Sequence, residues 1–291
     1  MAVRSMLFVP GDSERKLAKS ADCPADAIIL DLEDSVAPSK KAEARVITRA
    51  ALDNRVGKRQ YWVRVNALDS GETLKDLAAI VGGRPDVLLI PKSNGQADIE
   101  KIDLYLSALE AREGVPDRSI KIVVVATETG ASIFGLSTYK PNCPRLIGLT
   151  WGAEDLSAAV GAASNSDEKG ELTPLYVLAR SLCLAASAAA DVEAVDTAFM
   201  GIKNLDDLRD NCNAARRDGF RSKMAIHPDQ VPVINAAFTP SDHEVEEARK
   251  IIAAFAAQPD VGAFQLEGRM IDIPHLKQAQ RVMALRESMS A

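Results

Sequence analysis

The sequence predicts a (β/α)8 barrel, a TIM barrel, with a helical lid extension at its C-terminal end. Eight short apolar runs are spaced along the 291 residues, a helix-like stretch follows each run, and most runs end in polar or loop-forming residues. Strands that alternate with helices indicate parallel pairing, and eight such units are typical of a barrel of roughly 250 residues. The runs are Ser5–Val9, Ala27–Leu30, Tyr61–Val65, Val87–Ile90, Ile122–Ala126, Leu146–Thr150, Val195–Met200 and Lys223–Ile226.

Each of the first four runs leads through a turn into a segment of good helix-forming residues. In the first unit the turn is Pro10-Gly11, and Asp12 or Ser13 is placed to cap the helix that follows. The predicted helices of these units cover residues 14–20, 40–52, a stretch that ends at Ile80, and 96–112.

The last four units continue the pattern and then extend beyond it. Ile122–Ala126 is rich in β-branched residues, as expected for a strand buried on both faces, and a short helix follows it. The alanine-rich stretch Thr173–Ala190 is a strong helix by propensity. Further helices are predicted at 205–218, at 242–257 and from about residue 275. We expect a barrel core at residues 1–228, and the last barrel helix with a lid or oligomerisation segment at 229–291.

Composition narrows the classes of partner. The net charge of -6, from 35 basic and 41 acidic residues, argues against nucleic acid. No apolar run approaches the roughly 20 residues that span a bilayer, so we expect no membrane partner. The N-terminal residues lead directly into the first run, and we expect no signal peptide. The four cysteines are far apart without a CxxC pair, which favours free thiols and a cytoplasmic location.

Two acids follow neighbouring predicted strands. Glu128 comes after the fifth run and Asp155 after the sixth. Adjacent strands of a sheet are about 5 Å apart, so these carboxylates can share one hard cation, and an oxygen-only site that keeps several waters suits Mg²⁺. The alternative is that each acid caps a helix or pairs with a lysine.

Arg64 lies inside the third apolar run, where an unpaired charge would be costly. Its planar fork suits a carboxylate. The side chain is therefore interpreted as a clamp on the carboxylate of a keto acid, or as a structural ion pair with Asp31 or Glu33, and both roles are compatible.

Further charged residues cluster at the second strand and near the N-terminus. Asp31, Glu33 and Asp34 would repel one another unless a cation or an arginine lies nearby. Asp31 and Asp34 are placed to hold water around a metal ion, and the alternative is that one of them caps a helix. Several basic residues are candidates for phosphate binding, and they are Arg4, Arg15, Lys16, Lys19 and Lys92. For Arg15, Lys16 and Lys19 the alternative is a solvated helix face.

Taken in order, these motifs resemble the citrate lyase β-subunit-like group of the HpcH/HpaI aldolase superfamily, which includes malyl-CoA and citramalyl-CoA lyases. The similarity covers nearly the whole chain. The matching segments are Arg4–Gly11, Ile29–Val36, Val63–Asn66, Ile90–Lys92, Glu128-Thr129, Trp151–Leu156, Ala225–Pro228 and Glu267–Asp272.

The resemblance implies a Mg²⁺-dependent lyase, with Mn²⁺ as an alternative ion, that cleaves a 3-hydroxyacyl-CoA thioester to acetyl-CoA and a 2-oxo acid. Glu128 and Asp155 match the metal ligands, and Arg64 matches the clamp on the oxo acid. Asp272 matches an acid/base that a C-terminal lid brings into the site, often from a neighbouring subunit. The roles of the other residues follow the same motifs: Asp31, Glu33 and Asp34 form the outer acids, with Asp34 also a catalytic candidate, and Arg4, Arg15 and Lys19 lie on the CoA side.

The resemblance leaves alternatives open. Relatives often carry an arginine shortly after the metal glutamate, whereas this chain has Glu128-Thr129-Gly130-Ala131-Ser132. The alternative functions are a citryl-thioester lyase subunit that acts on an acyl-carrier protein, an aldolase for free hydroxy-keto acids, and a non-catalytic subunit that binds thioesters. The family implies a homotrimer or hexamer. The identity of the acyl-CoA and of the oxo acid stays open.

Overall fold

In the computed structural model, eight parallel strands form a closed barrel in chain order, which confirms the predicted fold class. The structure describes residues 3–258 and 261–290. Each strand pairs with the next, and the eighth closes the barrel against the first. The strands are β1 (Ser5–Pro10), β2 (Ala27–Asp31), β3 (Gln60–Arg64), β4 (Val87–Ile90), β5 (Lys121–Val125), β6 (Leu146–Thr150), β7 (Glu193–Asp196) and β8 (Ser222–Ala225).

The strands are apolar on both faces because they lie between the barrel interior and the surrounding helices. Met6, Ile29 and Trp62 pack with other inward side chains in the interior. Outward side chains such as Ile28 and Ile122 pack in the larger core beneath the helices. Burial on both faces accounts for continuous apolar runs without alternation. Because side chains fill the interior, a site can form only at an end of the barrel.

Helices follow the first seven strands at the predicted places, with one addition after β6. Glu154 begins this extra helix, and Gly161, with a φ of 71°, ends it after two turns. The sequence analysis missed it because it is so short. The barrel helices are α1 (Glu14–Ser20), α2 (Lys41–Asp53), α3 (Thr73–Ile80), α4 (Gln96–Glu113), α5 (Gly130–Gly135), α6 (Glu154–Val160), α7 (Pro174–Ala189) and α8 (Leu205–Asp218).

The C-terminal extension holds two features that the sequence analysis missed. One is a helix directly after β8, which carries Pro232 in its first turn, where proline is tolerated. The other is an antiparallel hairpin that turns at Glu267 and Gly268, both with positive φ. The elements of the extension are α9 (Gln230–Phe238), α10 (Asp242–Ala257), β9 (Ala263–Leu266), β10 (Arg269–Asp272) and α11 (Ile273–Ser290).

The helices and the cysteines bear on two expectations from composition. Across residues 3–258 and 261–290, every helix is too short or too polar to traverse a bilayer. The four cysteines are free thiols, as predicted from their spacing.

Candidate active site

A cavity of about 930 Å³ opens at the end of the barrel where the strands finish. In barrel enzymes the C-terminal ends of the strands form the active site. Charged groups and an apolar wall share this cavity. The charged residues include Asp31, Asp34, Arg64, Glu128 and Asp155, and the apolar wall includes Phe8, Val125, Trp151, Ala198 and Met224.

Arg64 ends β3 and pairs with Asp31, which ends β2. The two residues are register partners in adjacent strands. Arg64 Nε and Nη2 each donate a hydrogen bond of 2.7 Å to one oxygen of the Asp31 carboxylate. The guanidinium also lies over the Phe8 ring, 4.9 Å from its centroid. The structural ion pair considered in the sequence analysis is therefore present, and it holds Arg64 at the cavity wall.

Both carboxylate oxygens of Asp31 accept hydrogen bonds in this arrangement. Burial favours the neutral carboxyl, but the hydrogen bonds and the charge of Arg64 more than offset that effect, so the pKa of Asp31 is lowered. Backbone N–H groups of Glu33 and Ser35 donate to Asp31 at 2.9 and 3.1 Å. A guanidinium has five N–H donors, so three of those on Arg64 remain for other acceptors.

Lys92 lies two residues after β4 and contacts four acids of the site. Its backbone N–H donates to Glu128 Oε2 at 2.6 Å. Its ammonium donates to Glu33 and lies 3.3 Å from Asp34 Oδ2 and 3.2 Å from Asp155 Oδ1. The Lys92 backbone is left-handed, with a φ of 52°. That conformation costs a non-glycine residue roughly 1–2 kcal/mol.

Glu128 is buried in the wall beside Gly152. Burial raises the pKa of Glu128 to about 8, and the charges of Asp155 and Glu33 act in the same direction against the hydrogen bond from Lys92. A Cβ at position 152 would lie only 3.0 Å from Glu128 Cγ, so a larger residue there would crowd the Glu128 side chain. The charge of Lys92 and its backbone hydrogen bond therefore do not offset the effect of burial on ionised Glu128.

The donor set fits a hard divalent cation. Five carboxylates meet here with two side-chain cations, Arg64 and Lys92, which leaves a surplus of negative charge when all are ionised. Glu33 Oε2 is buried and accepts no hydrogen bond, although Arg64 Nη1 lies 3.1 Å away. Within the described residues, no group of three or more His, Cys, Asp and Glu side chains is arranged to hold a metal. Mg²⁺ binds through one or two carboxylates and keeps several waters, and a pair of carboxylates such as Glu128 and Asp155 suits that preference.

The basic residues predicted to lie on the CoA side are found at both ends of the barrel: α1 lies at the cavity, and Arg4 lies at the opposite end. Lys16 and Lys19 line the cavity, whereas Arg15 on the same helix does not.

Arg4 requires a correction, because it precedes β1 and lies at the opposite end of the barrel from the cavity. Its Nε and Nη2 donate to Asp26 at 2.8 Å and its Nη1 donates to Thr239 at 2.9 Å. Arg4 is therefore a structural residue, and its predicted place on the ligand side is wrong.

Asp272 does not line the cavity of its own chain. It ends β10 in the C-terminal hairpin, and its Oδ1 lies 2.5 Å from His275 Nδ1. A role for Asp272 in this cavity would require the hairpin of a second copy or a rearrangement of its own hairpin.

The sequence analysis missed several contributions to the site. Phe8 was not singled out, although its two-residue spacing from Met6 places both on the inward face of β1. Asp76 was also missed: it accepts hydrogen bonds of 2.8 and 2.7 Å from the backbone and side chain of Asn66, which follows β3. Lys92 was considered only for phosphate binding. Its position directly after Pro91 at a strand end was the available signal.

The sequence matches two family models. One, described as HpcH/HpaI aldolase/citrate lyase, matches residues 4–228. The other, described as a C-C bond lyase of the TIM-barrel fold, matches residues 177–289.

Similar proteins cover almost the entire chain. A (3S)-malyl-CoA thioesterase of Cereibacter sphaeroides is 34% identical over 292 residues, which are 99% of this chain and 96% of that protein. A mitochondrial citramalyl-CoA lyase of Rattus norvegicus is 32% identical over 305 residues, 98% of this chain and 86% of that protein. The crystal structure of CitE from Mycobacterium tuberculosis in complex with magnesium, acetoacetate and coenzyme A has a TM-score of 0.78 and 30% identity, with 98% of each chain covered.

Proposed function

Since the chain belongs to the HpcH/HpaI aldolase/citrate lyase family, we propose that it is a Mg²⁺-dependent carbon–carbon lyase of a 3-hydroxyacyl-CoA that carries a carboxylate. The products are acetyl-CoA and a 2-oxo acid. The observation that carries the proposal is that Arg64, Glu128 and Asp155 line one cavity at the C-terminal ends of the strands. Relatives named citramalyl-CoA lyase and L-malyl-CoA/β-methylmalyl-CoA lyase support this reaction class.

In this proposal Arg64 binds the carboxylate that leaves with the 2-oxo acid. Its three remaining N–H groups can form a bidentate pair with that carboxylate. Asp31 holds the guanidinium in place, and the ring of Phe8 supports it from one face. The apolar wall beside Arg64 leaves room for the carbon chain of the substrate.

Glu128 and Asp155 are the proposed metal ligands. The excess of carboxylates supports this role, as does the magnesium named with CitE of M. tuberculosis; Mn²⁺ is the alternative ion. A bound magnesium ion supplies Lewis acidity toward oxygen. Glu33 and Asp34 are the proposed outer acids of the site. Glu33 is buried between Arg64 and Lys92, whereas Asp34, which lines the cavity, takes up the proton of the substrate's hydroxyl group.

The CoA portion is proposed to cross the rim formed by α1. Lys16 and Lys19 line the cavity there, and ammonium groups suit phosphate oxygens. Arg15 lies on the same exposed helix, one residue before Lys16, and provides a weaker, longer-range attraction. The coenzyme A named with CitE supports a CoA thioester over a free hydroxy-keto acid.

We propose that Asp272 supplies the proton exchanged with the acetyl group and that it comes from a neighbouring chain of a homotrimer or hexamer. Residues 229–291 form the lid and oligomerisation segment in this proposal. Met270 and Ile273 flank Asp272 and are 74% and 43% exposed. Exposed apolar side chains around an otherwise distant acid support docking of this hairpin on another copy.

The proposed location is the cytoplasm, because four free thiols are consistent with a reducing compartment. The mitochondrial citramalyl-CoA lyases among the relatives provide the alternative, which cell fractionation distinguishes.

The test is a panel of malyl-, β-methylmalyl-, citramalyl- and citryl-CoA, assayed with Mg²⁺ and with EDTA for released 2-oxo acid and free CoA. We expect a 2-oxo acid and an acyl-CoA only with Mg²⁺: acetyl-CoA from malyl-, citramalyl- and citryl-CoA, and propionyl-CoA from β-methylmalyl-CoA. Release of free CoA without oxo acid would instead support a thioesterase, the second candidate favoured by the (3S)-malyl-CoA thioesterase relative. Cleavage of free hydroxy-keto acids, activity only on an acyl-carrier protein, or binding without turnover would each overturn the proposal.

A further inference from the structure

We infer that Lys92 is a built-in competitor of the divalent cation. Its ammonium holds the acidic side chains of the site together when no divalent ion is bound, and the same charge weakens binding of that ion. This inference rests on the proposed function, because it takes Glu128 and Asp155 as the metal ligands. It assigns Lys92 as a positioning residue.

The ammonium of Lys92 forms ion pairs with three carboxylates. Lys92 Nζ contacts Glu33 and Asp34, which follow β2, and Asp155, which follows β6. In the barrel, β2 lies on one side of the paired strands β4 and β5, and β6 lies on the other side. Lys92, which follows β4, therefore lies between these acids. Without a cation between them they would repel one another. The ammonium of Lys92 therefore lies where the electrostatic potential of the surrounding carboxylates is negative. A divalent cation would also be stable at that position.

The backbone of Lys92 provides further support. Its left-handed conformation, with a φ of 52°, is one that a non-glycine residue adopts only where its surroundings hold it. In this conformation the N–H reaches Glu128 while the side chain reaches Asp155. One residue thus contacts both proposed metal ligands, through the backbone and through the ammonium.

These contacts predict opposite effects of the ammonium on two measurable quantities. Removing it leaves Glu33, Asp34 and Asp155 without their shared cation, so the protein becomes less stable in EDTA. Removing it also ends the repulsion between the ammonium and a bound dication and frees an oxygen of Asp155, so the affinity for the ion rises. A role limited to packing would lower stability and weaken ion binding together.

The experiment compares wild-type protein with Lys92→Met by calorimetric titration with Mg²⁺ alone and by thermal unfolding in EDTA. For Lys92→Met we expect a lower unfolding temperature and roughly ten- to a hundredfold tighter Mg²⁺ binding, the effect of one nearby charge in a partly exposed site. Lys101→Met, at an exposed position of α4 outside the cavity, is the control, because it removes an equal charge without breaking an ion pair among the described residues. We expect its Mg²⁺ affinity to stay close to that of wild type.

The outcomes separate this inference from the proposed function. If wild type binds Mg²⁺ and Lys92→Met binds it equally or more weakly, the inference is wrong and the proposed function stands. If wild type does not bind Mg²⁺, both are wrong. Acetylation of Lys92 in wild type, read by peptide mass spectrometry, needs no variant: we expect faster modification with Mg²⁺ than with EDTA, and equal rates would overturn the inference.

Discussion

Replacement of Glu128 by glutamine should stabilise the protein in EDTA at pH 8 and leave it almost unchanged at pH 5. Burial raises the pKa of Glu128 from its ordinary 4.5 to about 8. The folded state therefore binds more protons than the unfolded state between these values. The stability contributed by the neutral carboxyl is complete below pH 4.5 and is lost as the pH rises through 8. Glutamine keeps the shape, can still accept the Lys92 N–H, and carries no charge.

The size of the effect follows from the shift. A pKa change from 4.5 to about 8 corresponds to at most about 5 kcal/mol, at 1.36 kcal/mol per pH unit. Glu128 is only 4% exposed, so solvent screening is weak. Integrating over the titration, the penalty for ionised Glu128 is below about 1 kcal/mol at pH 5 and about 4 kcal/mol at pH 8. The difference between wild type and Glu128→Gln should therefore grow by about 3 kcal/mol across this range.

The assay is urea unfolding followed by circular dichroism at several pH values in EDTA. Glu168→Gln, at an exposed position in the loop before α7, is the control and should follow wild type throughout. Added Mg²⁺ should restore the stability of wild type at pH 8 and leave Glu128→Gln unaffected, because a ligand stabilises the state that binds it. The reasoning would be refuted if the free energies of unfolding of wild type and Glu128→Gln changed in parallel with pH. It would also be refuted if wild type became more stable relative to Glu128→Gln at high pH.

Two further variants test the other residues of the site. Arg64→Lys should lower kcat/KM for thioester cleavage by about a hundredfold or more, because a point charge replaces a planar fork; unchanged kinetics would limit Arg64 to its structural pair with Asp31. Asp272→Asn should block deuterium exchange from solvent into acetyl-CoA while Mg²⁺ affinity stays the same. Mixed oligomers of Asp272→Asn and Arg64→Lys chains should regain part of the activity if Asp272 acts on a neighbouring cavity, and absence of recovery would argue against that arrangement.

Much of the site was predictable because it depends on strand ends. Glu128 and Asp155 follow consecutive strands, and β5 and β6 pair directly, so their proximity follows from strand order. Arg64 was recognised as a charge inside an apolar run, where a partner is needed. The pairing of Arg64 with Asp31 was an open alternative in the sequence and required the register of β2 and β3.

Other features depended on contacts that local patterns do not encode. Lys92 and Glu33 are 59 residues apart, and their ion pair depends on the side-by-side pairing of β2, β3 and β4 and on the left-handed backbone at Lys92. Arg4 belonged to a matching motif, yet it lies at the start of its strand, where its fork binds Asp26. Proximity to a motif in sequence therefore did not establish which end of the barrel a side chain occupies.

The sequence by itself determined the eight strand–helix units, the family, and the edge of the barrel at which acids and Arg64 collect. The units and the edge follow from periodicity and from the rule that parallel strands finish at the same end, whereas the family follows from the resemblance of the ordered motifs. Only the tertiary structure decided which charges neutralise one another, why the pKa of Glu128 is raised, and that Asp272 lies away from its own cavity. The charge around an ionisable group and its burial both depend on residues that are distant in the chain. They are therefore set only when the barrel has folded.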